Sequence, residues 1–174
     1  DLFGIFFEDL NSAADGGLYA ELVQNRSFEY QATEQLNWSP MTAWEQATRE
    51  GGRGSLKITD AVPVHPNNPH YAVVEVQQPG GGVGLVNSGF DGIAVQAGEQ
   101  YDFSVIARQL FTGNHWGGNG VLEGPSRLVV RLETREQAVL GETSLTIGGR
   151  DWQRLAATIT ATNADSSARL VVLS

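Results

Sequence analysis

Carboxylates, amides and aromatic rings carry most of the chemistry this sequence could perform. Acidic residues number 20 against 11 basic ones, and four Trp, four Tyr and seven Phe stand among them. Two carboxylates about 5–10 Å apart across a cleft can cleave a glycosidic bond, one as acid and the other as base or nucleophile. With 20 carboxylates to choose from, sequence spacing selects no pair. Glu8, Asp9 and Asn11 directly follow the apolar run of residues 2–7. A polar cluster at the end of a buried strand suits a site, and it equally suits a strand end meeting solvent. Residues 111–126 (FTGNHWGGNGVLEGPS) form a long Gly/Asn-rich loop around Trp116. Aromatic faces stack on the C–H faces of sugar rings, and amides bind the hydroxyls. Trp116, with Asn114, His115 and Asn119, is therefore either a sugar platform or an apolar plug over the end of the fold.

Other chemistries lack their residues. The chain has no Cys, which removes thiol catalysis, thiolate metal sites and disulfides. Its three His (His65, His70, His115) lie beside no nucleophile elbow and show no zinc-ligand spacing. The run Gly80-Gly81-Gly82-Val83-Gly84 precedes a strand pattern, not a helix, so it reads as a turn, not a phosphate cradle. A net charge of −9 argues against a general nucleic-acid partner, because phosphates need a basic face. No apolar run reaches membrane-spanning length and no basic amphipathic helix is present, so no membrane partner is expected.

The elements that must position these residues divide into two parts. Residues 2–7 (LFGIFF) suit a strand buried on both faces. Asp15-Gly16-Gly17 predicts a turn, with Asp15 as N-cap of a helix over residues 18–25 that places Leu18, Leu22 and Val23 on one face. From Ser27 onward apolar alternation recurs in short runs: 27–30, 56–58, 72–76, 101–106, 128–132, 155–159 and 170–173. Gly, Pro and Asn turn signals separate them. Trp44 and Trp152 fit core positions, while Trp38 fits core and surface equally. At 174 residues the chain is too short for a (β/α)8 barrel of about 250. The expected fold is all-β: an antiparallel jelly-roll β-sandwich over residues 25–174, preceded by a strand–turn–helix leader over 1–24.

Phe3-Gly4-Ile5-Phe6-Phe7-Glu8-Asp9-Leu10-Asn11, followed by the stretch from Gly16 to Glu29 (GGLYAELVQNRSFE), resembles the N-terminus of glycoside hydrolase family 51 α-L-arabinofuranosidases. The likeness is to the larger members, which carry an inserted carbohydrate-binding-like module. The β part is similar, more loosely, to carbohydrate-binding families 4, 9 and 22, through Asn25-Arg26-Ser27-Phe28-Glu29 at their opening strand. Tyr101-Asp102-Phe103-Ser104 and Asp151-Trp152 match later core strands of those modules.

The resemblance implies that residues 1–24 are the first strand and helix of a catalytic barrel, with the sandwich inserted after them. It implies a closing apolar strand that does not follow within the sequence. Glu8 would line the arabinose pocket of the parent enzyme. The acid/base and nucleophile glutamates would stand about 5–5.5 Å apart on later barrel strands, so no catalytic residue is expected here. No cofactor is required by that chemistry, and Glu29 falls where related sandwiches hold a structural calcium. The implied partners are a polysaccharide such as arabinoxylan, xylan or arabinan and the remainder of the barrel. A polymeric substrate favours secretion or a periplasmic location. The expected role is a non-catalytic carbohydrate-binding-like module. The alternative is a structural module that packs on the barrel and binds no sugar. A small stand-alone glycosidase would instead show two facing carboxylates in a deep cleft.

Overall fold

The computed structural model of the chain describes residues 2–12, 21–111 and 124–174. Among the described residues eleven strands run in chain order: β1 (Leu2–Ser12), β2 (Trp44–Arg49), β3 (Arg53–Thr59), β4 (Tyr71–Gln78), β5 (Gly82–Asn87), β6 (Ile93–Val95), β7 (Gln100–Phe111), β8 (Ser126–Glu133), β9 (Val139–Ile147), β10 (Gln153–Thr160) and β11 (Asp165–Leu173). They build two antiparallel sheets. One has the order β10-β7-β1-β4-β3, the other β2-β5-β11-β8-β9, with β6 pairing on β11. One apolar cluster is shared by both: Ile5, Val74, Phe103 and Val105 from the first sheet meet Leu85, Leu128, Val130 and Leu170 from the second. The alternation read at 72–76, 101–106, 128–132 and 155–159 is the inward face of these strands.

The leader strand is built into the middle of the first sheet. β1 pairs antiparallel with β4 on one side, Ile5 opposite Ala72, and with β7 on the other, from Leu2 opposite Phe111 to Ser12 opposite Tyr101. Ile5 points into the core and is 1% exposed. Gly4, the interruption of the apolar run, lies under two rings. A Cβ there would come within 2.8 Å of Tyr71 and 3.1 Å of Trp152. Glycine is required at that point because a ring already occupies the side-chain space.

The expected helix is corrected. Residues 18–20 fall outside the described set, and 21–25 are coil and turn; no helix is present among the described residues. The backbone groups a helix would pair internally are taken by a distant side chain. The Asn87 Nδ2 donates to the carbonyl of Gln24 at 2.9 Å, and the Gln24 amide donates to Asn87 Oδ1 at 3.2 Å. Residues 27–30 are likewise turn and coil, not strand. Asn25 and Phe28 have φ of 52° and 59°, outside both the helical and extended regions.

Two Trp expectations separate. Trp44 is in the core, 4% exposed, packed on Phe28 with ring centroids 5.1 Å apart. Trp152 is not. It sits half-buried on the outer face of the first sheet, edge-on to Tyr71 at 5.0 Å, with the Arg108 guanidinium 4.5 Å from its ring centre. The residue precedes β10, and Gly4 leaves the outer face open to it, so its ring covers β1 from outside. The glycine-rich opening of β5 has a related cause. A Cβ at Gly82 would meet Leu173 at 2.9 Å, and one at Gly84 would collide with the Val172 carbonyl.

Burial of Ile5 makes the docking of β1 measurable. Ile5→Ala is expected to lower unfolding free energy by about 2–5 kcal/mol, the range for a large aliphatic removed from a core. Urea titration followed by Trp fluorescence measures it. A loss under about 0.5 kcal/mol, as at a surface position, would mean that β1 is not packed there.

Candidate functional site

A cleft holding residues of the 25–29 motif is built on the turn at 21–30. Asn25 is its centre. Its residue type tolerates the left-handed backbone that a β-branched residue would resist. It is 5% exposed. Its side-chain amide donates to the carbonyls of Pro40 at 2.9 Å and Thr42 at 3.0 Å, and its Oδ1 accepts from the Tyr30 amide at 3.2 Å. Its own carbonyl accepts from the Trp44 indole at 2.8 Å and from the Phe28 amide at 3.1 Å. Phe28, 0% exposed, drives the turn into the core.

This lock fixes the groups on either side of it. Tyr30 stacks on Trp38 at 4.1 Å with planes 17° apart, which resolves the two readings of Trp38: it backs a neighbouring ring at the surface. The turn lines a cleft of about 230 Å³ with Val23 at its base and Tyr30 and Phe90 among its walls. Phe90 is 61% exposed. Glu21 and Arg26, paired at 3.1 Å, and Glu29 give the cleft its charged groups. The arrangement offers aromatic carbon faces beside carboxylate, guanidinium and amide groups. Those are complementary to a ligand with an apolar face and a hydroxylated edge.

Glu29, the expected calcium ligand, is paired with His70. Its Oε2 lies 2.6 Å from His70 Nδ1, and its Oε1 accepts from the His70 amide at 3.0 Å. Both oxygens thus tie the 60–70 loop to the turn. No group of three or more acidic or His side chains stands together among the described residues. His70 is half-buried against this carboxylate.

The other expected site residues are not gathered here. Glu8 lies in β1 by its backbone, but its side chain is outside the described residues. Asn114, His115, Trp116 and Asn119 are outside them as well. Phe90 and Asn87 were not read from the sequence. Phe90 gave one faint signal, a large apolar residue between Gly89 and Asp91-Gly92 in a turn. Asn87 gave none, because its role depends on a backbone 63 residues away.

Two antiparallel sheets that share an apolar core define an all-β chain. No family model matches the chain. Curated relatives do. It is 37% identical over 172 residues to an extracellular exo-α-L-arabinofuranosidase of Streptomyces chartreusis, covering 98% of this chain and 18% of that protein. It is 36% identical over 112 residues to α-L-arabinofuranosidase 2 of Arabidopsis thaliana, covering 62% of this chain and 16% of that one. Among solved structures, an arabinose-bound family 51 α-L-arabinofuranosidase matches with 27% identity and a TM-score of 0.67, over 98% of this chain and 26% of its own. The first and last of these α-L-arabinofuranosidases cover nearly all of this chain as a fragment of a much larger enzyme, and the chain spans less than a fifth of the first curated relative.

Asn25 holds two chain segments with one buried side chain. Asn25→Ala leaves the Pro40 and Thr42 carbonyls and the Tyr30 amide without that partner, at about 1–3 kcal/mol for each group that stays unsatisfied. A drop of at least that size in chemical denaturation is the expected outcome. A variant as stable as the parent would show that the turn is not held this way.

Proposed function

We propose that the chain serves as a non-catalytic carbohydrate-binding-like module of an α-L-arabinofuranosidase, with a jelly-roll arrangement of its strands. In this reading the parent enzyme releases terminal arabinofuranosyl residues from arabinoxylan or arabinan. The observation that carries the sugar-binding role is the cleft on the Asn25 turn. It combines an exposed Phe90 and a Tyr30 backed by Trp38 with carboxylates within one small concavity. Aromatic faces with a few polar groups beside them suit a ligand that has an apolar face and a hydroxylated edge. Trp116, with Asn114, His115 and Asn119, is proposed as a further platform, and Glu8 as a sugar contact in the complete enzyme. Catalysis would fall to two glutamates on barrel strands outside this chain, by the retaining mechanism that needs no metal. The module's macromolecular neighbour would be that barrel.

Affinity electrophoresis in gels containing arabinoxylan, xylan or arabinan tests the reading. The parent chain should be retarded by at least one polymer. Tyr30→Ala and Phe90→Ala should reduce the retardation several-fold while the far-UV spectrum is unchanged. Loss only in Trp116→Ala would move the platform to the 111–126 loop. A folded chain retarded by none of the polymers would favour the structural role, a module packed on the barrel that binds no sugar.

A further inference from the structure

Glu29 stands apart from the other charged groups of the Asn25 cleft. Glu21 and Arg26 answer each other at 3.1 Å, and Glu21 Oε1 also accepts from the Val23 amide at 3.3 Å. Glu29 lines the same cleft, yet it meets no guanidinium or ammonium group among the described residues. Its partner is His70, 41 residues along the chain and outside the cleft lining.

The contact is made at two points. The His70 amide donates to Oε1 at 3.0 Å, and the ring Nδ1 lies 2.6 Å from Oε2. A single hydrogen bond leaves a carboxylate free to rotate, whereas one to each oxygen fixes its plane. An ionised carboxylate only accepts, so Nδ1 must carry a proton. The neutral ring is therefore protonated at Nδ1, with Nε2 bare. A carboxylate has about four lone-pair sites, and His70 occupies about two of them, which leaves the rest for a ligand. His70 is itself held. Tyr71, the next residue, is 2% exposed, and its hydroxyl donates to the Ala61 carbonyl at 2.5 Å, closing the 60–70 loop. His65, the other described histidine, is spent inside that loop, its Nδ1 accepting from the Asn67 amide at 3.1 Å. A tie made only to hold the loop needs no charge. A carboxylate and imidazole that are each 27% exposed keep one at the cleft wall.

The geometry points to His70 as the positioning residue of the Asn25 cleft: it orients Glu29 as a fixed, charged acceptor for the hydroxyl groups of a neutral sugar. The inference rests on the carbohydrate-binding reading of that cleft and adds its specificity. Glu21 and Glu29 stand in the cleft against the single guanidinium of Arg26. A sugar bearing its own carboxylate is repelled there, while hydroxyl donors meet the open lone pairs of Glu29 in charge-assisted hydrogen bonds.

Nitrogen NMR of the imidazoles in the 174-residue chain tests the contact without any substitution. At about pH 8.5, above the ordinary imidazole range, the His70 proton is expected on Nδ1. A ring protonated at Nε2 would overturn the assignment. Titration calorimetry with neutral arabinoxylan oligosaccharides tests the role. His70→Ala and Glu29→Ala should each weaken binding by about five- to ten-fold, the scale of one net hydrogen bond. The double variant should bind no more weakly than the weaker single one, because both act through one carboxylate. His70→Asn, which keeps a side-chain donor, should recover part of the loss. An oligosaccharide carrying a uronic acid should bind more weakly than its neutral counterpart by a similar factor. A residue that only ties the loop would change the melting temperature and none of these affinities. Full affinity in His70→Ala, losses that multiply in the double variant, no recovery in His70→Asn, or equal affinity for the uronic acid would each overturn the assignment. Loss of binding in Tyr30→Ala alone would then keep the cleft as a sugar site. A folded parent chain that binds none of these oligosaccharides would overturn both the assignment and the reading it rests on.

Discussion

One buried amide holds the 21–30 turn and the 40–44 segment together. Asn25 reaches the 40–42 segment through its side-chain nitrogen, the Tyr30 amide through its oxygen, and Trp44 and Phe28 through its carbonyl. In a low-dielectric interior each of these bonds is worth more than at the surface, and each would be costly to leave unmade. The left-handed backbone at Asn25 then follows: only that geometry lets the side chain and carbonyl face their separate partners. Phe28 is driven inward, Glu29 is aimed at His70, and Tyr30 is left on the surface beside Phe90. The residues of the cleft are therefore displayed by a polar lock, and the lock is seated on the apolar core through Phe28 and Trp44.

The sandwich beneath has its own dependence. The β1 strand occupies the slot between β4 and β7, so the first sheet is continuous only with it in place. Ile5 supplies core volume from that strand, while Gly4 makes room for Tyr71 and Trp152 on the other side. A charged brace crosses the second sheet: Glu133, its side chain 1% exposed, is met by Arg49 at 2.7 Å. Losing one partner of such a pair costs far more than the pair contributes, because it strands a buried charge. Polar contacts thus fix geometry in both layers, and apolar burial supplies the driving force.

Local patterns were readable, and long-range substitutions were not. The period-two runs in β8 and β10 stand out because one face of each strand is more buried than the other, whereas Tyr71 to Val74 of β4 is buried on both faces. β5 hid its strand character behind Gly82 and Gly84, which are there for close approach to β11. The spacing of Leu18, Leu22 and Val23 fits a helix, yet Asn87 captures the Gln24 backbone and Asn25 turns the chain. Propensity lost there to a tertiary hydrogen bond, which no local window contains. The same holds for the cleft. The motif from Asn25 to Glu29 was visible as a resemblance, but its reason, a hub joining residues 25, 40, 42 and 44, exists only in three dimensions. Phe90 entered the cleft from a turn more than 60 residues away, for which alternation gives no cue.

Hydrogen exchange at the Trp44 indole tests the lock most directly. That N–H donates to the Asn25 carbonyl at 2.8 Å in a buried position. The account predicts that it exchanges only with global unfolding, on the timescale of the slowest core amides, and that Asn25→Ala accelerates it selectively relative to amides of β8 and β11. Exchange as fast as an exposed indole in the parent chain would contradict the account, because the turn would then be open and nothing would hold Tyr30 and Phe90 in one cleft.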